Sequence, residues 1–185
     1  MACMTLNDII VAALAQLDRG HDAQTLDVWR DKLTGFANDA LMDLAYAVKP
    51  KRRETVRLAG GCFHTESLAR GCLRVLAVEK EGRTLFFREE GESGRVRVRG
   101  CGGEDEAEVL YRCLPKPLSA ATDEPELPAP CHPLIVTYAV ARERSSADPA
   151  SQRGANVYYQ LYDAGRQRLR AHLGGEESFR ITNRW

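Results

Sequence analysis

The chain has no run of about 18 apolar residues, the length a membrane-crossing helix needs. Nor does it open with a basic stretch followed by an apolar core, as a secretory leader would. The expectation is a soluble protein with no membrane partner that stays in the compartment where it is made. An excess of either charge is also missing, because 26 Lys and Arg balance 26 Asp and Glu. The molecule as a whole therefore has no electrostatic pull on nucleic acid. The balance is locally uneven: 4 basic against 7 acidic side chains over 1–49, 14 against 11 over 50–118, and 8 against 8 over 119–185. A mildly basic middle is not a DNA-binding patch. Cysteine spacing shows no C-x-x-C pair. Cys3, Cys62, Cys72, Cys101, Cys113 and Cys131 are scattered, and in the absence of an export signal they read as reduced thiols.

What is present suits a globular core: 185 residues, 44% of them hydrophobic, make one domain or one domain with a sizeable insertion. Thr5 with Asp8 reads as a helix cap. Leu6, Ile9, Ile10, Ala13, Leu14 and Leu17 then recur on one helical face until Gly20. A second stripe (Leu26, Trp29, Leu33, Phe36, Ala37, Ala40, Leu41, Leu44) predicts a helix over 25–48, closed by Pro50 and the cations Lys51, Arg52 and Arg53. Five short strands follow, over 55–58, 73–78, 84–87, 95–99 and 108–112, separated by glycine turns. In Arg95-Val96-Arg97-Val98-Arg99 the strict alternation turns the valines inward and the arginines outward. Six of the eight prolines then crowd between Pro115 and Pro133. Two more helices are expected, one around Leu134–Arg142 and one from Asp148-Pro149 to Gly174-Gly175.

The expected fold is α+β: a helical bundle made of an αα hairpin and two C-terminal helices, with an inserted small antiparallel β-domain and an extended C-terminal tail. Its segments are the hairpin (1–53), the β-domain (54–114), the proline strap with the C-terminal helices (115–175) and the tail (176–185).

No catalytic constellation emerges. Cys62-Phe63-His64 and Cys131-His132 could supply four zinc ligands, but their spacing is not that of a zinc knuckle, and unrelated thiols and imidazoles are the favoured reading. A Cys131–His132 nucleophile pair has nothing to orient the base. Asp123, Glu124 and Glu126 lie between prolines and read as solvated acids. The Gly60-Gly61 and Gly100–Gly103 clusters read as turns, since neither runs from a strand into a helix with the Lys-Ser/Thr of a phosphate loop. The arginine face of Arg95, Arg97 and Arg99 fits phosphate contact, an exposed sheet face or a subunit contact. Catalytic, cofactor and metal sites are all expected to be absent.

The run EVLYRCLPKPLSAATDEPELPAPCHPLIVTYAVARERSSADPASQRGANVYYQLYDAGRQRL resembles the C-terminal half of tailed-bacteriophage adaptor proteins, also called head–tail connector or neck proteins. In that family a strand bearing Tyr-Arg leads into Pro-x-Pro-Leu. A Thr-Asp-x-Pro-x-Leu-Pro strap follows, then a His, an apolar helix with Tyr-Ala and a last long helix. The matching positions are Tyr111, Arg112, Pro115, Pro117, Leu118, Thr122, Asp123, Pro125, Leu127, Pro128, His132, Tyr138 and Ala139. The resemblance implies a non-enzymatic virion protein of the neck, made in the host cytoplasm. Family members form a ring of typically about twelve copies beneath the portal, a closed arrangement that head-to-tail interfaces generate. The ring extends the DNA channel, lets DNA pass without sequence-specific binding, and docks downstream neck or tail proteins. Portal and subunit contacts are then expected at the tail (Phe179, Ile181, Trp185), on the strap (Pro125, Pro128) and on the arginine strand (Arg95, Arg97, Arg99). The alternative function is a small nucleic-acid-binding module that uses the Arg95, Arg97 and Arg99 face.

Overall fold

A computed structural model describes residues 3–91, 94–146 and 149–173. The tail assigned to 176–185, with Phe179, Ile181 and Trp185, lies outside the described residues. Four helices and seven strands follow in order: α1 Leu6–Gln16, α2 Ala23–Val48, β1 Lys51–Ala59, β2 Cys62–His64, β3 Cys72–Lys80, β4 Arg83–Leu85, β5 Phe87–Glu90, β6 Arg95–Val98, β7 Glu104–Cys113, α3 His132–Ser146 and α4 Pro149–Leu173. No helix among the described residues is long and apolar enough to cross a membrane.

The helical part follows its sequence pattern closely. Thr5 and Asp8 form a reciprocal capping box at α1, and the Asp22 carboxylate caps α2 through the Gln24 and Thr25 N–H groups. Lys49, in the left-handed conformation, ends α2. The stripes of α1 and α2 meet α3 and α4 in one core that includes Leu6, Ile10, Leu14, Leu33, Leu41, Leu44, Ile135 and Ala139. Tyr138 of α3 packs on Tyr162 of α4 with ring centroids 5.0 Å apart. The Asp43 carboxylate fastens α4 to α2 by accepting from Tyr162 Oη at 2.5 Å and Arg166 Nη1 at 2.8 Å.

The β-part corrects the expected fold class. The chain is not a helical bundle with a small inserted β-domain. It is α+β, with four helices and a seven-stranded antiparallel sheet curled almost into a barrel. The strand order is β4-β3-β7-β1-β2-β6-β5. Its two edge strands, β4 and β5, are joined by Phe86 alone, so the sheet must curl to bring its two edges near each other. The barrel has its own core of Val56, Leu58, Phe63, Leu68, Val75, Val78, Val96, Val98, Ala107, Val109 and Tyr111, a cluster separate from the helical one.

Two strands and the start of a third escaped the sequence reading for identifiable reasons. Lys51, Arg52 and Arg53, read as the cationic end of a helix, instead begin β1. Their neighbours are acids brought by β7 and β3: Arg53 Nη1 donates to Glu108 Oε2 at 3.0 Å and to Glu79 Oε2 at 2.9 Å. Strand β2 has three residues, and β5 (Phe-Arg-Glu-Glu) carries a single apolar side chain, so neither shows a period. The β1–β2 turn lies so close to the β6–β7 loop that a Cβ on Gly61, at φ +73°, would stand 2.4 Å from the Cys101 carbonyl oxygen.

The proline-rich strap (residues 114–131) leads from the barrel to the helices. The Asn38 side chain clasps it, accepting from Leu118 N at 2.8 Å and donating to Leu118 O at 3.0 Å. At the start of α1, Leu6 N donates to Asp123 O at 2.7 Å and Asn7 N to Ala121 O at 3.0 Å, so the strap satisfies donors that the helix itself cannot. Asn38→Ala leaves both Leu118 backbone groups without that partner. It is expected to lower unfolding stability by about 1–3 kcal/mol in urea titration. Asn38→Asp, which keeps only the acceptor, should fall between the two.

Candidate functional site

Strand β6 carries the arginine alternation, with Val96 and Val98 buried and Arg95 and Arg97 exposed. Pairing with β5 places Arg97 directly opposite Arg88, an arrangement of like charges that destabilises a sheet on its own. Glu90 offsets it, with Oε1 2.6 Å from Arg97 Nε and Oε2 3.6 Å from Arg95 Nε. Arg88 has no ion-pair partner among the described residues. Arg99, just beyond β6, lays its guanidinium 4.9 Å from the centroid of the Phe86 ring, which is 64% exposed. Phe86, Arg88, Gly91, Arg97 and Arg99, together with Glu89 and Glu90, enclose an open groove of about 510 Å³.

The arginine strip is therefore split. Arg97 and Arg99 enter the groove, whereas Arg95 lies outside its lining and donates to Cys62 Sγ at 3.5 Å. Arg88 and Phe86 were missed in the sequence. The inward alternation Leu85, Phe87 within the expected strand, carried one residue further, was the available signal for an outward Arg88. Three guanidiniums and an exposed ring can receive a phosphate or carboxylate group, and among the described residues the groove is lined by no thiol, hydroxyl or imidazole.

The strap positions behave differently from one another. Pro125 is buried and Pro128 exposed, so only Pro128 offers a surface. The acids beside them anchor the strap and are not merely solvated. The Asp123 carboxylate accepts from Ser119 N and Ala120 N, both at 2.8 Å, and these bonds hold its pKa below the usual range. Glu126 grips Arg70 through two bonds, from Nη2 to Oε1 at 2.5 Å and from Nε to Oε2 at 2.9 Å, and also accepts from Lys116 N at 3.1 Å. The Arg70 bonds chiefly lower its pKa to about 2. Arg70 lies in the loop between β2 and β3, so this pair ties strap to barrel.

The zinc and nucleophile readings fare poorly on geometry. His132 is buried with both ring nitrogens occupied: Nδ1 accepts from Met4 N at 3.0 Å and Nε2 faces Leu127 O at 3.1 Å. Burial pushes the Cys131 thiol up to about 11. No group of three or more potential metal ligands occurs among the described residues. No protein-family model matches the chain, and no curated protein is significantly similar to it.

The Glu126 carboxylate has a folded pKa below its unfolded value, so its contribution is present above about pH 5 and is lost as pH falls toward 2. Glu126→Gln should destabilise the protein at pH 7. The gap to the wild type should narrow steadily from pH 5 to pH 3 in a series of thermal melts.

Proposed function

We propose that the chain is a structural adaptor of the head–tail connector kind, a non-enzymatic protein that assembles as a ring on a portal and offers tail components a docking surface. The observation that carries this reading is the strap. The segment bearing the family-like residues is bonded at Asn38, at the start of α1, at Arg70 and at His132. A connector held at so many points is stiff before any partner arrives, and preorganised segments lose little entropy on association. Ring closure also needs two different faces on each copy. Two chemically distinct faces are available: the arginine groove of the barrel, and the exposed apolar residues Val157 and Leu161, one turn apart on α4. Neutral net charge suits a channel wall past which DNA must slide.

The groove favours one second reading, a nucleic-acid-binding module, because Arg88 and Arg99 have no carboxylate partner among the described residues. Negative-stain microscopy of the full chain with a portal protein from the same genomic neighbourhood separates the two. A ring on the portal's narrow end is the expected result. A chain that ignores the portal but binds a short DNA duplex would overturn the adaptor reading, provided the affinity falls steeply with salt and Arg88→Ala lowers the salt slope by about one. A chain lacking residues 174–185 should lose portal affinity, and undiminished binding would remove the tail from the interface.

A further inference from the structure

Two of the scattered cysteines converge in the barrel. The register of β3 and β7 sets Cys72 directly opposite Cys113. The Cys113 N–H points away from β3, to Pro50 O at 3.0 Å, while the next residue, Leu114, donates to Gly71 O at 2.9 Å. Cys72 and Cys113 therefore occupy a non-hydrogen-bonded site of the ladder, where facing Cα atoms lie about 4.5 Å apart. That spacing falls within the span of about 4.4–6.8 Å that a disulfide requires. Facing residues also share one face of a sheet, so both side chains turn toward the barrel core. Cys113 belongs to that core and Cys72 packs against it.

Access to the pair is one-sided. Strand β5 pairs only with β6, and β3 pairs with β4 only from Val78 onward, so the first part of β3 and β5 flank an unsealed gap. The gap is a cleft of about 120 Å³ lined by Cys72, Arg74, Glu89 and Gly91, with Thr65 and Val96 among its walls. Cys72 is half-buried beside it, while Cys113 is 7% exposed. None of the other four thiols has this arrangement. Cys62 faces Ala59 and Arg97 in register, Cys131 is enclosed in the helical core, and Cys3 and Cys101 lie outside the strands.

We propose that Cys72 and Cys113 are a dithiol site that closes to a disulfide by exchange with a low-molecular-weight disulfide such as oxidised glutathione. The Cys72 thiolate attacks one sulfur of that reagent, forms a mixed disulfide and releases one thiolate. The Cys113 thiolate then attacks the Cys72 sulfur, forms the internal bond and expels the second thiolate. The protein loses two protons and two electrons, and the reagent gains them as two thiols. Burial raises both thiols above their usual range, so exchange speeds up as pH rises. The bond would tie β3 to the last residue of β7, next to Leu114 where the strap leaves the barrel. The junction between barrel and strap would thereby gain a covalent staple.

The test incubates the full chain with oxidised glutathione at about pH 7 and about pH 9. Remaining thiols are then alkylated under denaturing conditions and the peptides mapped by mass spectrometry. The expected product is an intramolecular cross-link between the Cys72 and Cys113 peptides, formed faster at the higher pH. Its thermal midpoint should rise by about 5–10 °C, a rise that reductant reverses. Cys113→Ser should stop at a glutathione adduct on Cys72, and Cys72→Ser should leave Cys113 unmodified over the same interval. Because the wild-type map needs no variant to fold, it decides alone. Full alkylation of both cysteines, an adduct on Cys72 that never resolves, or a cross-link joining other cysteines would overturn the proposal.

Discussion

The structure depends on one constraint: a strap rich in proline must bury Pro115, Leu118, Pro125 and Leu127 without stranding the polar backbone between them. Proline lacks an N–H, so the strap cannot join a ladder or helix along its length. Its remaining groups find partners one by one. Leu118 uses Asn38 for both donor and acceptor, Lys116 donates to Glu126, and Ser119 and Ala120 donate to Asp123. The Ala121 and Asp123 carbonyls accept from α1, and the Leu127 carbonyl meets His132. Those partners come from α1, α2, α3 and the strap itself, and Glu126 is held in turn by Arg70 of the barrel loop. Moving the strap by one residue would break bonds to several elements at once, and this fixes how the two cores are joined.

Legibility in the sequence followed the range of the forces involved. Helices α1 and α2 were readable because their signals are local: a Thr5–Asp8 cap and stripes at helical spacing need no distant partner. Val96 and Val98 were readable for the same reason. Barrel closure was not, because it depends on β1 pairing with β7 across most of the β-part. Lys51, Arg52 and Arg53 look like a helix terminus until Glu108 and Glu79 are set beside them by that pairing. The acids of the strap were misjudged in the same way. Asp123 and Glu126 stand among prolines in the sequence, and only the fold brings them their backbone donors and Arg70.

The candidate groove sharpens this point. Outward-facing Arg97 is legible from alternation, but its environment is not. The Arg88–Arg97 opposition, the Glu90 bridge and the Arg99–Phe86 stack all arise from the β5–β6 register. Among the described residues one carboxylate serves both Arg95 and Arg97, while Arg99 lies over the Phe86 ring. The β5–β6 ladder, with its core-facing Phe87, Val96 and Val98, holds these charges close despite their repulsion. An incoming anion would relieve that repulsion, which gives the groove a physical reason to bind phosphate or carboxylate partners. Exposed pairs of this kind are weak and salt-screened, so the groove would choose a partner's orientation more than supply its affinity.

Such a groove is useful to an assembly only if its direction is fixed relative to the rest of the molecule. The barrel and helical cores are separate clusters, and two cores joined by a plain linker would leave that direction free. Here the connection is double. Residues Lys49 and Pro50 pass from α2 into β1 with no slack, and the strap returns from β7 to α3 under its own bonds. Arg70–Glu126 closes the gap between them, because it links the barrel loop to the middle of the strap. One short connection, one strap bonded along its length and a cross-tie restrict hinge motion without requiring a large apolar interface between the cores. In the adaptor reading, this restriction lets contacts made by the barrel on one neighbour and by the helices on another impose a single rotation from copy to copy. A repeated rotation of fixed size is what closes a ring instead of growing an open filament.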